Sequence, residues 1–273
     1  MNELPLQALI ELVRAAGQAI LPYWRQPLEV SEKSDSSPVT AADLAAHACL
    51  RDGLQALGLG IPLLSEEDAE IPLAERLGWS RWWLVDPLDG TKEFIAGSDE
   101  FTVNLALIEG GQVHFGLVGI PASGRVYYGG AGFGAWRVDP GQAAQPLAVR
   151  DTPEEAFVLV ASRRHSSPAQ ERLLAGLGQW FADLQLTSVG SSLKFCLLAE
   201  GAADCYPRLA PTSQWDTAAA QAVLEGAGGL VVDLHGEPLR YPPRADFLNP
   251  HFLALPQAAP WRSQLLQLAR SLD

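Results

Sequence analysis

The sequence predicts an α+β first half built on an antiparallel sheet, followed by an α/β second half within one compact unit. Two observations carry this expectation. Between Phe101 and Tyr128, short β-type runs are separated by Gly-Gly, Pro and Gly punctuation, the pattern of an antiparallel meander. Beyond Phe157, strand-like and helix-like segments alternate, as they do in α/β structure. The division falls near residue 150, giving halves of 1–150 and 151–273.

The elements follow in order. Leu6, Ile10, Val13, Ile20 and Trp24 recur at helical spacing, which predicts an amphipathic helix from Leu4 to Arg25 with its stripe in the core. Ser31 to Pro38 is polar and reads as a loop. Thr40-Ala41-Ala42-Asp43 has the order of a capping box, and Leu44, Leu50, Leu54 and Leu57 mark the helix after it, which Gly58 and Gly60 end. The short apolar run Ile61 to Leu64 leads into Ser65-Glu66-Glu67-Asp68, so these acids sit at a strand end. A second run, Trp82 to Val85, ends in Asp86-Pro87-Leu88-Asp89-Gly90-Thr91 and opens onto a first helical turn at Lys92-Glu93-Phe94. Phe101 to Ile108, Val113 to Ile120 and Arg125 to Tyr128 form the meander, and Gly134 to Val138 and Leu147 to Val149 are candidates to extend it. In the second half, strands are expected at Phe157 to Ala161, Leu184 to Val189 and Asp204 to Leu209, with Leu230 to Leu234 as the final strand. Helices are expected at Ser167 to Leu177, Ser191 to Ala199 and Asp216 to Glu225, the last ended by Gly226, Gly228 and Gly229.

Composition narrows the function classes. With 273 residues, 48% hydrophobic and 19% charged, the chain can bury a sizeable core. A formal charge of −13, from 32 acids against 19 bases, argues against a general nucleic-acid groove, which needs clustered Lys and Arg. Any anionic ligand must therefore meet local positive charge. Cys49, Cys196 and Cys205 form neither a paired framework nor a C-x-x-C, which suits a reducing cytoplasm and offers no zinc site. No basic leader precedes the first apolar pattern and no stretch is long enough to span a membrane. The expectation is a soluble cytoplasmic protein of unspecified oligomeric state. Peripheral contact at the cytoplasmic side of the inner membrane stays open.

The chemistry concentrates at Asp86 and Asp89. They lie three residues apart across a proline that fixes its own φ and keeps its predecessor extended, so both acids can converge on one point. A lone D-x-x-D can equally be a structural turn. Here Glu66-Glu67 also ends a strand and Asp216 starts a helix, so three chain crossings can assemble a chelating cluster. Carboxylates about 4 Å apart repel by roughly 4 kcal/mol per pair at intermediate dielectric, so they need a cation to converge. All-oxygen ligands indicate Mg²⁺ or Mn²⁺. An EF-hand loop and a D-x-D-G-T phosphoaspartyl site both fail, because Pro87 stands where each needs an acid.

Glu66-Glu67, Asp86-Pro87-Leu88-Asp89-Gly90-Thr91 and Trp215-Asp216-Thr217-Ala218-Ala219, in that order, resemble the signature of the inositol-monophosphatase superfamily of Mg²⁺-dependent, lithium-sensitive phosphatases. Ser37 to Asp43, Leu64 to Asp68, Thr91 to Phe94 and Gly190-Ser191-Ser192-Leu193-Lys194-Phe195-Cys196 narrow the resemblance to the CysQ-type 3′(2′),5′-bisphosphate nucleotidases. It runs over nearly the whole chain. Ala220 departs from the pattern, since family members often carry glycine there.

The resemblance implies an α-β-α-β-α layered sandwich of the inositol-monophosphatase and fructose-1,6-bisphosphatase type. It also implies roles. Glu66, Asp86, Asp89, Asp216 and the Leu88 carbonyl would hold two or three Mg²⁺ ions, for which Mn²⁺ could substitute, with Glu67 outside the ligand set. Asp216 can also serve as a helix N-cap, and Asp43 as the acid of its capping box. By the resemblance, Asp43 and Thr91 would orient and deprotonate the attacking water, while the N–H groups of Gly90 and Thr91 hold the phosphate. Ser191, Lys194 and Arg208 would select the substrate. Lys194 lies in an otherwise apolar helical segment and Arg208 stands eight residues before Asp216, places where a solvated surface charge is not expected. Where inositol phosphatases usually carry an acid, a base at Arg208 suits a second phosphate. His165 would lie near the nucleotide or stand as a surface histidine.

The expected partner is a small nucleotide. The implied reaction takes adenosine 3′,5′-bisphosphate to AMP and phosphate in sulfur assimilation, with the 3′-phosphosulfate nucleotide as a further substrate. Inositol monophosphatase or fructose 1,6-bisphosphatase activity is the alternative in the same class, and a catalytically silent phosphonucleotide-binding protein the alternative outside it.

Overall fold

A computed structural model describes residues 4–26, 31–32, 38–153, 155–161 and 168–271. The chain opens with α1 (Leu6–Ile20). This helix stops short of Arg25 because Pro22 withholds a backbone N–H, and a 3₁₀ turn over Leu21–Tyr23 replaces its last predicted turn. The predicted loop at 31–38 contains two-residue strands β1 (Ser31–Glu32) and β2 (Pro38–Val39), paired antiparallel. The helix α2 (Ala41–Ala56) starts at Thr40 with the capping box intact.

A mixed sheet follows, made of β3 (Leu63–Ser65), β4 (Arg81–Asp89), β5 (Thr102–Glu109), β6 (Gln112–Ile120), β7 (Arg125–Gly130), β8 (Gly134–Val138) and β9 (Gln145–Pro146), in that order. Only β3 and β4 run parallel; the other neighbours are antiparallel. Two short helices interrupt the series, α3 (Leu73–Arg76) and α4 (Thr91–Ile95). The edge strand β9 precedes the predicted run 147–149, of which Leu147 still donates to the Ala135 carbonyl at 2.8 Å.

The continuous apolar run of β4 has a simple cause. Trp83 and Val85 face α1 and α2, whereas Trp82 and Leu84 face the opposite core, so alternation in polarity disappears when both faces are covered. The second half adds β10 (Phe157–Ala161), α5 (Pro168–Leu177), β11 (Leu184–Ser188), α6 (Leu193–Ala199), β12 (Tyr206–Arg208), α7 (Gln214–Gly226), β13 (Gly229–Asp233), β14 (Phe252–Pro256) and α8 (Arg262–Arg270). Helices α6 and α7 pack between the large sheet and a second β layer, and α5 and α8 close the far side of that layer. The layers therefore run α-β-α-β-α.

Three sequence expectations need correction here. Leu230 to Leu234 is not the final strand: β14 follows and lies between β12 and β13, and α8 ends the described chain. The α/β expectation holds for the parallel pair β10 and β11 and for the parallel bridge of Leu159 to Cys205, whereas β12, β14 and β13 pair antiparallel. The helix carrying Asp216 begins two residues earlier, at Gln214. Among the described residues no helix is long and apolar enough to cross a membrane.

Close approach of α7 to the large sheet depends on Gly116 of β6. A Cβ there would collide with the Ala219 carbonyl, which is backbone and cannot swing aside. Gly116→Ala is therefore expected to destabilise the fold by about 1–3 kcal/mol through overpacking. Urea unfolding with an unchanged midpoint would contradict this packing.

Candidate active site

Glu66 is brought to Asp86 by the parallel pairing of β3 and β4. Ser65 lies opposite Val85, and the Glu66 N–H donates to the Val85 carbonyl at 3.1 Å. Asp86 and Asp89 would point to opposite faces of a regular strand, being an odd number of residues apart. The ladder to β5 shifts register between them, at Pro87, and Asp86 Oδ1 accepts the Leu88 N–H at 3.0 Å. This irregularity lets Asp86, the Leu88 residue and Asp89 line one cleft with Glu66 and Asp216.

Carboxylate oxygens of Glu66, Asp86 and Asp216 lie within 4.8 Å of one another. Asp89 stands outside this triplet on the wall of the same cleft. Its Oδ2 accepts the Ser192 N–H at 2.5 Å and is 3.4 Å from both the Thr102 hydroxyl and the Asn104 amide nitrogen. Burial, and then the charges of Glu66, Asp89 and Asp216, hold the Asp86 carboxyl well above the usual carboxylate range. Burial does the same to Asp216, followed by Asp89 and Glu66. Asp89 is pushed up to about 6 by burial, an effect opposed by Lys194 and the Ser192 N–H. The arrangement is self-repelling, all-oxygen and partly buried, a donor set that fits a hard divalent cation.

Asp43 and Asp216 are built alike. Each is the third residue of its helix and the acid of a capping box, so Asp216 is not itself the N-cap; Ser213 is. Asp216 Oδ2 accepts the Ser213 N–H at 2.9 Å. Asp43 Oδ2 accepts the Thr40 N–H at 2.8 Å and its hydroxyl at 2.7 Å. Asp43 Oδ1 is left to face the Thr91 hydroxyl at 3.4 Å, and that hydroxyl also lies 3.1 Å from the Leu88 carbonyl oxygen. The capping and site readings of both acids are thus compatible, with one carboxylate oxygen in the helix cap.

Gly90 turns the chain from β4 into α4 at φ +89°, a conformation that disfavours any Cβ. A Cβ would also sit 3.0 Å from the Glu100 carbonyl oxygen and 3.3 Å from the Ser191 Cβ. Gly90 therefore brings the phosphate-loop candidates Gly90, Thr91 and Ser191 together. Beside the acidic cleft opens a second of about 230 Å³, lined by Ser191, Lys194, Tyr206, Arg208 and Thr212 and sharing Asp89 and Asp216 with the first.

Lys194 is almost wholly buried, at 4% exposure, and burial lowers its pKa to about 8. Its ammonium donates to the Ser191 carbonyl at 2.6 Å and the Val189 carbonyl at 3.2 Å, and lies 5.3 Å from the centre of the Tyr206 ring. It thereby braces the loop at Ser191, whose φ of +46° is strained for a residue with a Cβ and whose Oγ is buried with no partner among the described residues. Arg208 donates through Nε to the Ala210 carbonyl at 3.1 Å and through Nη2 to the Pro211 carbonyl at 2.8 Å. His165 lies outside the described residues.

The sequence reading missed the supports of Asp89. Ser192, Thr102 and Asn104 form one hydrogen-bonded group, with the Ser192 hydroxyl 2.8 Å from both the Thr102 hydroxyl and the Asn104 amide oxygen. Their one visible signal is a pair of polar residues within the otherwise apolar run of β5 and a serine immediately before α6. Ala220 is buried in the core against the sheet.

The chain matches the inositol monophosphatase family over residues 2–267. It is 48% identical over 250 residues to the 3′(2′),5′-bisphosphate nucleotidase CysQ of Escherichia coli strain K12, covering 90% of this chain and 98% of that protein. The enzyme of the same name from Haemophilus influenzae is 34% identical over 96% of this chain and 97% of its own length. Among solved structures, CysQ from Bacteroides thetaiotaomicron superposes with a TM-score of 0.79 at 37% identity, covering 92% of this chain and 96% of that one. An inositol monophosphatase from Thermotoga maritima, 22% identical over 98% of this chain and 97% of its own, shares the fold with a TM-score of 0.76. The chain belongs to the inositol monophosphatase family.

Proposed function

We propose that this protein is a 3′(2′),5′-bisphosphate nucleotidase that hydrolyses the 3′-phosphate of adenosine 3′,5′-bisphosphate to AMP and phosphate. The observation that carries the substrate reading is the joining of two clefts, one acidic and one lined by Lys194 and Arg208, through Asp89 and Asp216. A substrate with two phosphates can place the scissile one over the carboxylates and the other beside the bases. The likeness to CysQ enzymes over nearly their full length supports the same reading. The 3′-phosphosulfate nucleotide fits this logic as a second substrate, and a cytoplasmic enzyme of sulfur assimilation is the setting we infer.

Glu66, Asp86, Asp89, Asp216 and the Leu88 carbonyl would hold Mg²⁺, with Mn²⁺ as a substitute. The cation supplies positive charge that acidifies water and neutralises charge developing on the phosphate oxygens. Asp43 acts as proton acceptor. Its Oδ2 is fixed by Thr40, and its Oδ1, beside the Thr91 hydroxyl, would orient the attacking water and take its proton. Water oxygen bonds to phosphorus as the bond to the 3′-oxygen breaks, and that oxygen leaves with a proton. Gly90 and Thr91 present the first-turn N–H groups of α4 to the phosphate. No side chain is phosphorylated in this scheme.

Purified protein assayed in parallel with adenosine 3′,5′-bisphosphate, inositol monophosphate and fructose 1,6-bisphosphate tests the proposal. The bisphosphate nucleotide should be turned over fastest, only with Mg²⁺ present, and lithium should inhibit. Faster turnover of inositol monophosphate would move the assignment to that activity.

Protons and cation should compete for the same carboxylates. Asp89 has its pKa raised from 3.8 to about 6, so the folded state binds its proton more tightly than the unfolded chain does. Its contribution to the stability of the metal-free protein therefore falls as pH rises through that window. Asp86 and Asp216 shift in the same direction. Stabilisation by a fixed Mg²⁺ concentration should consequently grow from about pH 5 to about pH 7.5. A Mg²⁺-induced rise in Tm that stays flat across this range would argue against these carboxylates as the ligands.

A further inference from the structure

The second turn of α2 carries a side chain that the proposed reaction does not use. His47 lies four residues beyond Asp43, on the same helix face, and is 9% exposed. Its Nδ1 is 2.9 Å from the Oγ of Ser65, a residue with no exposed surface. Ser65 ends β3 and immediately precedes Glu66. Its hydroxyl oxygen also accepts the Glu67 N–H at 3.4 Å, and its carbonyl accepts the Asp68 N–H at 3.1 Å. Ser65 thus closes the turn from which Glu66 projects, and His47 holds Ser65.

A buried imidazole in the core of a helix-on-sheet contact could be replaced by leucine with better packing unless its polar atom matters, because a buried polar group is tolerated only when hydrogen-bonded. This polar atom reaches the Ser65 hydroxyl, which itself accepts the Glu67 N–H in the turn that carries Glu66. Burial lowers the imidazole pKa, with Arg51 acting in the same direction and Asp68 and Asp52 against it. We propose, resting on the reading of Glu66 as a metal ligand, that His47 is a positioning residue: through Ser65 it fixes the Glu66 carboxylate relative to the helix that carries Asp43. Two successive turns of α2 then set the proton acceptor and one ligand in register.

Mn²⁺ binding to the purified full chain, followed by electron paramagnetic resonance of the free ion, tests this without relying on turnover. His47→Leu should raise the Mn²⁺ Kd by about tenfold or more, the range for groups that orient metal ligands. His47→Asn, whose amide can meet the Ser65 hydroxyl, should recover most of the affinity. Ser65→Ala should lose as much as His47→Leu, and the double variant little more than either alone. A merely structural role would lower Tm in these variants and leave the Kd in place. Folded His47→Leu with wild-type affinity overturns the proposal; if that variant does not fold, wild-type affinity in Ser65→Ala overturns it instead. Asp86→Asn separates the two readings. Loss of binding there with wild-type binding in His47→Leu sinks the His47 role alone, whereas Asp86→Asn binding Mn²⁺ normally sinks the metal reading on which it rests.

Discussion

Asp89→Asn should abolish turnover, with kcat lower by at least about a thousandfold at saturating Mg²⁺. The substitution keeps volume and shape but removes one negative charge from the wall shared by both clefts. It also replaces an acceptor-only group with one that carries an NH₂. The Ser192 N–H at 2.5 Å and the neighbouring Thr102 and Asn104 groups are arranged around a carboxylate oxygen, so an amide there meets donors with a donor or turns its oxygen back and presents nitrogen to the cation. Stability should move the other way. Metal-free Asp89→Asn loses a carboxyl whose ionisation the fold resists, so its Tm near neutral pH should equal or exceed that of the parent without Mg²⁺. Steady-state kinetics and thermal melts on one preparation check both halves. Near-normal turnover in Mg²⁺ would refute the role assigned to Asp89.

Arg208→Ala should reduce kcat/KM for adenosine 3′,5′-bisphosphate by roughly 10- to 150-fold, chiefly through KM, while 3′-AMP changes little. A charge-assisted hydrogen bond is worth about 1.5–3 kcal/mol, which sets that range. The comparison between substrates is needed because Arg208 has a second task. Its Nε and Nη2 hold the carbonyls of Ala210 and Pro211, six and five residues before Asp216, so truncation also loosens the approach to α7. Loosening would affect both substrates alike. A loss confined to the bisphosphate reports contact with the second phosphate, and equal losses would assign Arg208 to the turn alone. Lys194 is less open to such a test, since two of its ammonium hydrogens already hold the Val189 and Ser191 carbonyls.

The acids of the candidate site were legible because each sits where an element ends. Glu66 follows a short apolar run, Asp86 and Asp89 break a long one, and Asp43 and Asp216 stand at helix starts. Such placements put charge beside an apolar interior, and that contrast shows in one dimension. The supports were not legible. Ser192 reaches Asp89 across 103 residues, and His47 reaches Ser65 across 18; neither spacing has a local rule. The fold divides in the same way. The antiparallel meander from β5 to β8 could be read from its turn residues, since hairpins are local. The place of β14 between β12 and β13 could not, because Phe252 to Pro256 is a short apolar run whose partners lie in distant segments.

By itself the sequence determined the first two helices and the meander of the first half, the capping box at Thr40, and which carboxylates stand at chain breaks. Those follow from backbone preferences and from apolar periodicity, both properties of neighbouring residues. Tertiary structure alone decided which oxygen of Asp43 enters the cap and which faces Thr91, that Lys194 braces the Ser191 loop, and that the acidic cleft and the one holding Lys194 and Arg208 share a wall. These depend on distances between segments, and packing of α7 and α6 against the sheet sets those distances.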